Sequence, residues 1–408
     1  MAQSVLGSLT LGYRPLWNRA RALAGLRLVA HEDAHSVDGE HLLRTLGELW
    51  TSESPALLLS VQGRGLLANV VAHAEAAGPM LEIPAAWLDD ARLRSAVRSA
   101  RQRGVRMLAS GPPGADLDME AARCFERRSV RLSATDAAAA LQAAARARAA
   151  TAAGRMAGRA DDSPVRPDAL VDGVASRALA EHALDQQGAW AVAGWPSDDV
   201  AHAWRGQPIP PTRRAIVRVM NAIDEEQSLE RIEHLFGQEP TLAYRLLLYL
   251  NSAGLGLPTG ISSLRHGFMM LGFRKLNAWL AEQLPGASED ANLRPLNAAL
   301  VVRGQLMGHL MEAGIEADLQ REVYLCGLFS QLDLVLDEPL RNSFARIPLS
   351  ERIVSAAISH TGPYAPALLI ATALESGPPD RVRALRTAYD LSAEEVNRAL
   401  LRTLASPD

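Results

Sequence analysis

Residues 239–280, EPTLAYRLLLYLNSAGLGLPTGISSLRHGFMMLGFRKLNAWL, constrain this chain more than any other stretch. Pro240 suits the first position of a helix, where its missing N–H costs nothing. Leu242, Leu246, Tyr249 and Leu250 follow at helical spacing, and Ala243 and Leu247 widen the apolar stripe. Between Asn251 and Gly260 stand three glycines and Pro258, so the helix stops and a tight loop follows. Ser262 or Ser263 can cap a second helix, on which Leu264, Phe268 and Leu271 share one face. Gly272 ends that helix, and Phe273, Leu276, Trp279 and Leu280 open a third. Helix, loop, helix, glycine, helix describes a packed all-α unit.

The same residues carry a resemblance. An acid-Pro start at Glu239-Pro240, an Asn251-Ser252-Ala253 step, Pro258 to Ser263-Leu264 and a Leu271-Gly272 turn resemble the core motif of the HDOD domain. That family is a bacterial signalling module related to HD-type phosphohydrolases. The resemblance covers roughly the second half of the chain, and nearly all of these residues read as helix-packing positions.

At 408 residues, two domains are the default, and each can bury its own core. Lys275 is the only lysine, so nearly every cation is an arginine. From Thr212 onward there are 19 basic and 23 acidic residues, against 23 of each before it. Neither half has the cationic excess of a module that works through phosphate contacts, so no nucleic acid is expected as a partner. Cys124 and Cys326 are too few for a disulfide framework or a cysteine zinc site. The opening residues lack the charged-then-apolar pattern of a secretory leader, and no run of 18 apolar residues occurs. A reducing cytoplasm and no membrane span are the expectation.

Along the first half, residues 9–16 and 23–29 read as strands joined by a turn near Asn18. A helix at 41–49, a buried strand at 56–61, a helix at 66–76, a short strand at 80–83, a helix at 87–102 and a strand at 105–109 follow. This alternation argues for an α/β domain with a largely parallel sheet. GYRPLWNRARALAGLRLVAHE, MLEIP, GVRMLAS and GAWAVAGWP together resemble segments of the EAL family of cyclic-di-GMP phosphodiesterases, which are TIM-type barrels. Such enzymes need clustered carboxylates and an Asn to hold two metal ions that activate water. Here the motif glutamate falls on Arg27 and the family's Arg on His31. Its strand-borne Asn falls near Ser60, and its Asp-Asp pair falls on Ala109 and Ser110. Glu82 survives, and Glu181 is a second residual carboxylate. The resemblance therefore implies a degenerate, incomplete barrel without catalytic metals.

Residues 133–154 are alanine-rich and helix-favouring. Arg146, Arg148 and Arg155 would form a basic face there, although arginines on an outer barrel helix are more often simply solvated. Helix 178–184 and strand 190–193 close the first half. Three prolines in 204–214 mark the boundary, giving an EAL-like domain over 1–204, a linker over 205–214 and an all-α HDOD-like domain over 215–408. Helices are expected at 215–223, 228–236, 241–250, 264–271, 273–284, 296–311, 322–336 and 350–359, and on to Leu404.

HD enzymes bind metal through a separated His, an adjacent His-Asp pair and a later Asp. No His-Asp dipeptide exists in this chain. Ser330-Gln331 stands in its place, with His309, His360 and Asp333 as isolated groups. Lone helical histidines are more often surface or hydrogen-bonded core than ligands. Walker, dinucleotide-binding and serine-elbow motifs are absent. The expected function is that of a non-catalytic adaptor or regulator in bacterial signal transduction, linked to cyclic-di-GMP, motility or biofilm pathways. It would act on protein partners without a cofactor, and a homo-oligomer stays open. The alternatives are a metal-dependent phosphodiesterase of cyclic dinucleotides and a nucleic-acid-binding regulator built on the helices around Leu264. Interfaces favour cationic and aromatic anchors on rigid elements, which singles out Arg265, His266, Arg274 and Lys275.

Overall fold

Eight short apolar runs become strands that close into a barrel: β1 (Leu9–Trp17), β2 (Leu23–Glu32), β3 (Leu57–Val61), β4 (Met80–Pro84), β5 (Met107–Gly111), β6 (Arg127–Arg131), β7 (Leu170–Asp172) and β8 (Ala191–Ala193). The computed structural model describes residues 4–33, 37–115, 117–152, 162–255, 260–312, 316–376 and 378–406. Neighbours from β2 to β8 run parallel, and β1 runs antiparallel to both β2 and β8. The barrel is therefore closed, and the expected incompleteness is wrong. Two strands had escaped the sequence pattern. β6 is RRSVR, too polar to read as a strand, and β7 has only three residues.

The β1–β2 hairpin explains an unusual feature of this unit. Asn18 folds the turn by accepting hydrogen bonds from the Ala20 and Ala22 N–H groups. So short a connection carries no helix to cover β1. The helix Ala393–Ala405 fills that role and packs on β1 and on the 3₁₀ turn Val5–Ser8. β1 pairs with β8 only through Leu16 and Trp17, which leaves backbone groups nearer its start without a strand partner. Asn397 supplies one. Its Nδ2 donates to the Leu6 and Leu9 carbonyls, both at 2.8 Å, and its Oδ1 accepts from the Leu11 N–H at 3.2 Å. Arg383 and Arg386 add ion pairs to Asp33, whose carboxyl also accepts from Thr10. Burial pushes the Asp33 carboxyl up, but these hydrogen bonds and charges outweigh it and hold it below its usual range.

The division of the chain differs accordingly from the expected one. One unit comprises Met1–Pro196 and Ala373–Asp408, and the other comprises Ser197–Thr372. The last helices belong with the barrel because their apolar residues, Val396, Leu400, Leu401 and Leu404, are buried against it. The proline-rich run at 205–214 is no free linker either. Ile209 is buried and donates its N–H to Val335 O at 2.8 Å, and Thr212 pairs with Ser288. Both contacts lie inside the second unit.

That second unit is helical. The expected elements appear as Arg213–Asp224, Leu229–Gly237, Pro240–Leu250, Leu264–Leu271, Phe273–Gln283, Leu293–Leu310 and Ala317–Phe329. Instead of one helix across 322–336, the chain breaks after Phe329 and resumes at Leu332–Leu336. Leu264, Phe268 and Leu271 are all buried, and Phe268 packs on Phe236 with ring centroids 5.0 Å apart. The helices Leu293–Leu310 and Ala317–Phe329 cross where two glycines meet. A Cβ on Gly327 would stand 2.6 Å from Gly304 Cα, so neither position tolerates a side chain without moving backbone.

Asn397→Leu keeps the volume of a buried helical residue but orphans three backbone groups. It should lower the chemical-denaturation midpoint, at a cost on the order of 1–3 kcal/mol for each group left without a partner. An unchanged midpoint would mean that the β1 edge is satisfied in some other way.

Candidate functional site

The barrel lumen is built in layers by strand alternation. Leu16, Leu58, Met80, Leu108, Leu170, Ala191 and Ala193 fill one apolar layer. Two residues further along their strands, Ser60, Glu82, Ser110 and Asp172 form a polar layer nearer the carboxy-terminal ends, the side on which parallel barrels place their chemistry.

Arg27 reaches into this polar layer from β2. Its Nε donates to Glu82 Oε2 at 2.7 Å and its Nη2 to Glu82 Oε1 at 2.5 Å, a two-pronged contact. Its Nη1 donates to Asp172 Oδ2 at 2.8 Å. All three side chains are at most 5% exposed. Asp172 also accepts from Arg14 Nη1 and from the Gly173 N–H, and Arg131 lies 3.5 Å away. Burial alone would push the Asp172 carboxyl up. The charges of Arg27 and Arg14 outweigh it and hold the carboxyl below the ordinary range. Burial likewise lowers the Arg27 guanidinium, yet Glu82 and Asp172 raise it above its usual value.

A divalent metal at this place needs carboxylate lone pairs aimed at an open position. Here the guanidinium takes both oxygens of Glu82 and one of Asp172. The flanking positions add no ligands. Ser60 accepts from Gln62, Ala109 carries no donor, and His31 is half-buried toward Arg383 and Asp33, with burial pushing its imidazole down. The residues present therefore do not fit a metal pair. Glu181 stands apart, joined to Arg177 at 2.8 Å on its own helix. Asp172 is the site residue that the sequence reading missed.

The helical unit has a comparable place. Where a His-Asp pair would stand, Ser330 Oγ accepts from the buried Arg303 Nη1 at 3.0 Å and donates to Gly327 O. Asp333 and His360 are exposed. Among the described residues, no cluster of three or more His, Cys, Asp or Glu is placed to hold a metal ion.

The motif residues of this unit act as fasteners. Glu239 is fully buried and accepts from the Thr212 N–H and hydroxyl, the Thr241 hydroxyl and Asn297 Nδ2, so one carboxylate ties three helices together. Burial raises its carboxyl against those hydrogen bonds. Pro240 is buried at the first position of its helix. Asn251 closes the ends of its loop. Its Nδ2 donates to the Leu247 and Ile261 carbonyls, and its Oδ1 accepts from the Ile261 N–H. Ser252 is exposed beside it, and Pro258 lies outside the described residues. Ser263, not Ser262, caps the helix that Leu264 opens. Leu271 is buried, and Gly272 turns the corner at φ +75°.

Of the four candidate interface cations, Arg265 is committed internally. It pairs with Glu230 and Glu233, both at 3.0 Å. His266, Arg274 and Lys275 are exposed. On the alanine-rich barrel helix, Arg146 pairs with Asp162, and Arg155 lies outside the described residues.

Arg27→Met leaves Glu82 buried without its cation and should cost about 3–5 kcal/mol at neutral pH. In the native protein the Asp172 contribution is present above the unfolded carboxylate pKa of about 3.9 and is lost as pH falls through the lower folded value. In the variant Asp172 loses the Arg27 charge that holds its carboxyl low, so the deficit should narrow from pH 7 towards pH 4. Melting curves across that range check both signs. A deficit independent of pH would argue against the ion network.

Residues 208–347 match the HDOD domain family. The chain is 23% identical over 191 residues to the uncharacterized protein YuxH of Bacillus subtilis, covering 46% of each. It is 28% identical over 134 residues to the cyclic di-GMP phosphodiesterase CdgJ of Vibrio cholerae, covering 33% of this chain and 31% of that protein. The matches thus span less than half the length of either relative. Among solved structures, the Bacillus subtilis YkuI protein, with an EAL domain and in complex with c-di-GMP and calcium, is 10% identical with a TM-score of 0.30, over 46% of this chain and 53% of that one. No described helix is long and apolar enough to cross a membrane. Residues 208–347 are thus the part of the chain that carries the match to the HDOD domain family.

Proposed function

We propose that this protein is a non-hydrolysing regulator in cyclic-di-GMP-linked signalling that works by contact with protein partners. The observation that carries the reading is the Arg27 guanidinium seated between Glu82 and Asp172. Phosphodiester hydrolysis on such a scaffold relies on metal-bound water, and a buried arginine can neither bind nor deprotonate water in that way. The Arg303–Ser330 contact supports the same conclusion for the helical unit, where a serine hydroxyl faces a cation. The HDOD domain supports the signalling context. Fold alone does not assign function, and it is the chemistry of these sites that supports the reading.

The opposing reading is a metal-dependent phosphodiesterase, and it draws on the similarity to CdgJ, which carries that activity in its name. The two readings separate cleanly. Purified full-length protein incubated with Mn²⁺ or Mg²⁺ and cyclic-di-GMP should give no linear product above the metal-only background. After dialysis it should retain no stoichiometric metal. Metal-dependent turnover that disappears in Glu82→Gln would overturn the proposal.

A further inference from the structure

The corner between the helices Leu264–Leu271 and Phe273–Gln283 exposes what soluble surfaces ordinarily hide. Met269 is 64% exposed, Met270 53% and Phe273 39%. Seven large hydrophobic residues among those described are exposed to this degree, and three of them fall within these five positions. Scattered single exposures need no explanation, whereas a cluster on one corner marks an interaction surface. Methionine side chains are flexible and polarizable, which suits a surface that must shape itself to another chain.

The charges beside this cluster are uncompensated. Arg274 and Lys275 are exposed, and among the described residues neither side chain has a hydrogen bond or an ion pair. Arg265, on the preceding helix, is already spent on Glu230 and Glu233. The backbone beneath is fixed. Ser263 caps the first helix, and Leu264, Phe268, Leu271, Leu276, Trp279 and Leu280 anchor both helices in the core. A partner would therefore meet a preorganised backbone and have only side chains to order.

We propose that this corner docks an acidic, amphipathic segment of a protein partner. The segment's apolar side would lie on Met269, Met270 and Phe273, and its carboxylates would meet Arg274 and Lys275. The inference rests on the adaptor reading above and gives that reading a surface and a partner chemistry. An anionic lipid surface is the other occupant with matching groups. It is disfavoured because the corner offers two exposed cations, Arg274 and Lys275, fewer than the cluster of about 4–8 by which basic segments hold anionic lipid.

Lys275 being the only lysine makes a direct test available. A carbodiimide joins a carboxylate to an amine as an amide, taking up the water released to become a urea. An acidic probe can then couple to this chain only at Lys275 or at the amino terminus. The probe is an acetylated, lysine-free helical peptide with leucines on one face and glutamates on the other. Mass spectrometry of the coupled full-length protein should place the adduct on Lys275. The yield should fall about tenfold in Met270→Ser with Phe273→Ser, equivalent to about 1.4 kcal/mol, with the melting temperature unchanged. Adducts at the amino terminus alone would overturn the proposal. So would equal coupling by a glutamate–serine peptide that lacks an apolar face, or protection of Lys275 by phosphatidylglycerol vesicles and not by the peptide. None of these outcomes depends on cyclic-di-GMP turnover, so the docking surface can fail while the adaptor reading stands, and the reverse.

Discussion

A cation held by a covalent arm sits at the centre of the barrel. Arg27 bridges β2 to β4 through Glu82 and to β7 through Asp172, so three strands, no two of them neighbours, are joined across the lumen. Burying two carboxylates in an apolar shell is costly, and a buried pair seldom outperforms a hydrophobic replacement of equal volume. What the contact supplies is direction. Forked donors on Glu82 and a single donor on Asp172 fix where each carboxylate points, and Arg14 and the Gly173 N–H hold the remaining Asp172 oxygen. The carboxylate oxygens of this layer are thereby committed to guanidinium and N–H donors. Removing the arginine would not restore an apolar core. It would leave charge without a partner.

The second dependency is topological. A two-stranded hairpin at the start of the barrel brings β1 into place without a helix, and the missing cover comes from the far end of the chain. Asn397 meets Leu6, Leu9 and Leu11 across almost the whole sequence. A contact of such separation closes a long loop, and its entropic cost must be met before β1 is secured. The barrel is thus assembled from both ends of the chain, and the helical unit is formed by a segment inserted between them.

What could be read from the sequence follows the range of each interaction. Helices around 239–280 were legible because caps, stripes and breakers are all local, and Asn251 and Ser263 do what their positions suggested. That Arg27 sits inside the barrel beside Glu82 agrees with the place the sequence reading gave both residues. The second partner, Asp172, was not legible, because it ends a three-residue strand too short to register as one. β6 was hidden by its charge, since Arg131 turns toward Asp172 instead of toward an apolar core. The helix Ala393–Ala405 showed its amphipathic period plainly, but periodicity states that a face is buried and never against what. The ion pairs of Arg265 were hidden for a related reason. Its carboxylate partners lie on the helix Leu229–Gly237, some thirty residues away, and only the fold brings them together.

Both units set a buried guanidinium against the polar groups of their candidate sites. Arg27 donates to Glu82 and Asp172 in the barrel, and Arg303 donates to Ser330 Oγ in the helical unit. A metal ion and a guanidinium both neutralise nearby acids, but they differ in ways that matter here. The metal is exchangeable, accepts lone pairs from several directions and lowers the pKa of bound water. The guanidinium is permanent, only donates hydrogen bonds, and keeps its proton at any physiological pH. Exchanging one for the other keeps the packing around the site while removing its electrophile. On the adaptor reading, this is why the scaffold persists without its chemistry.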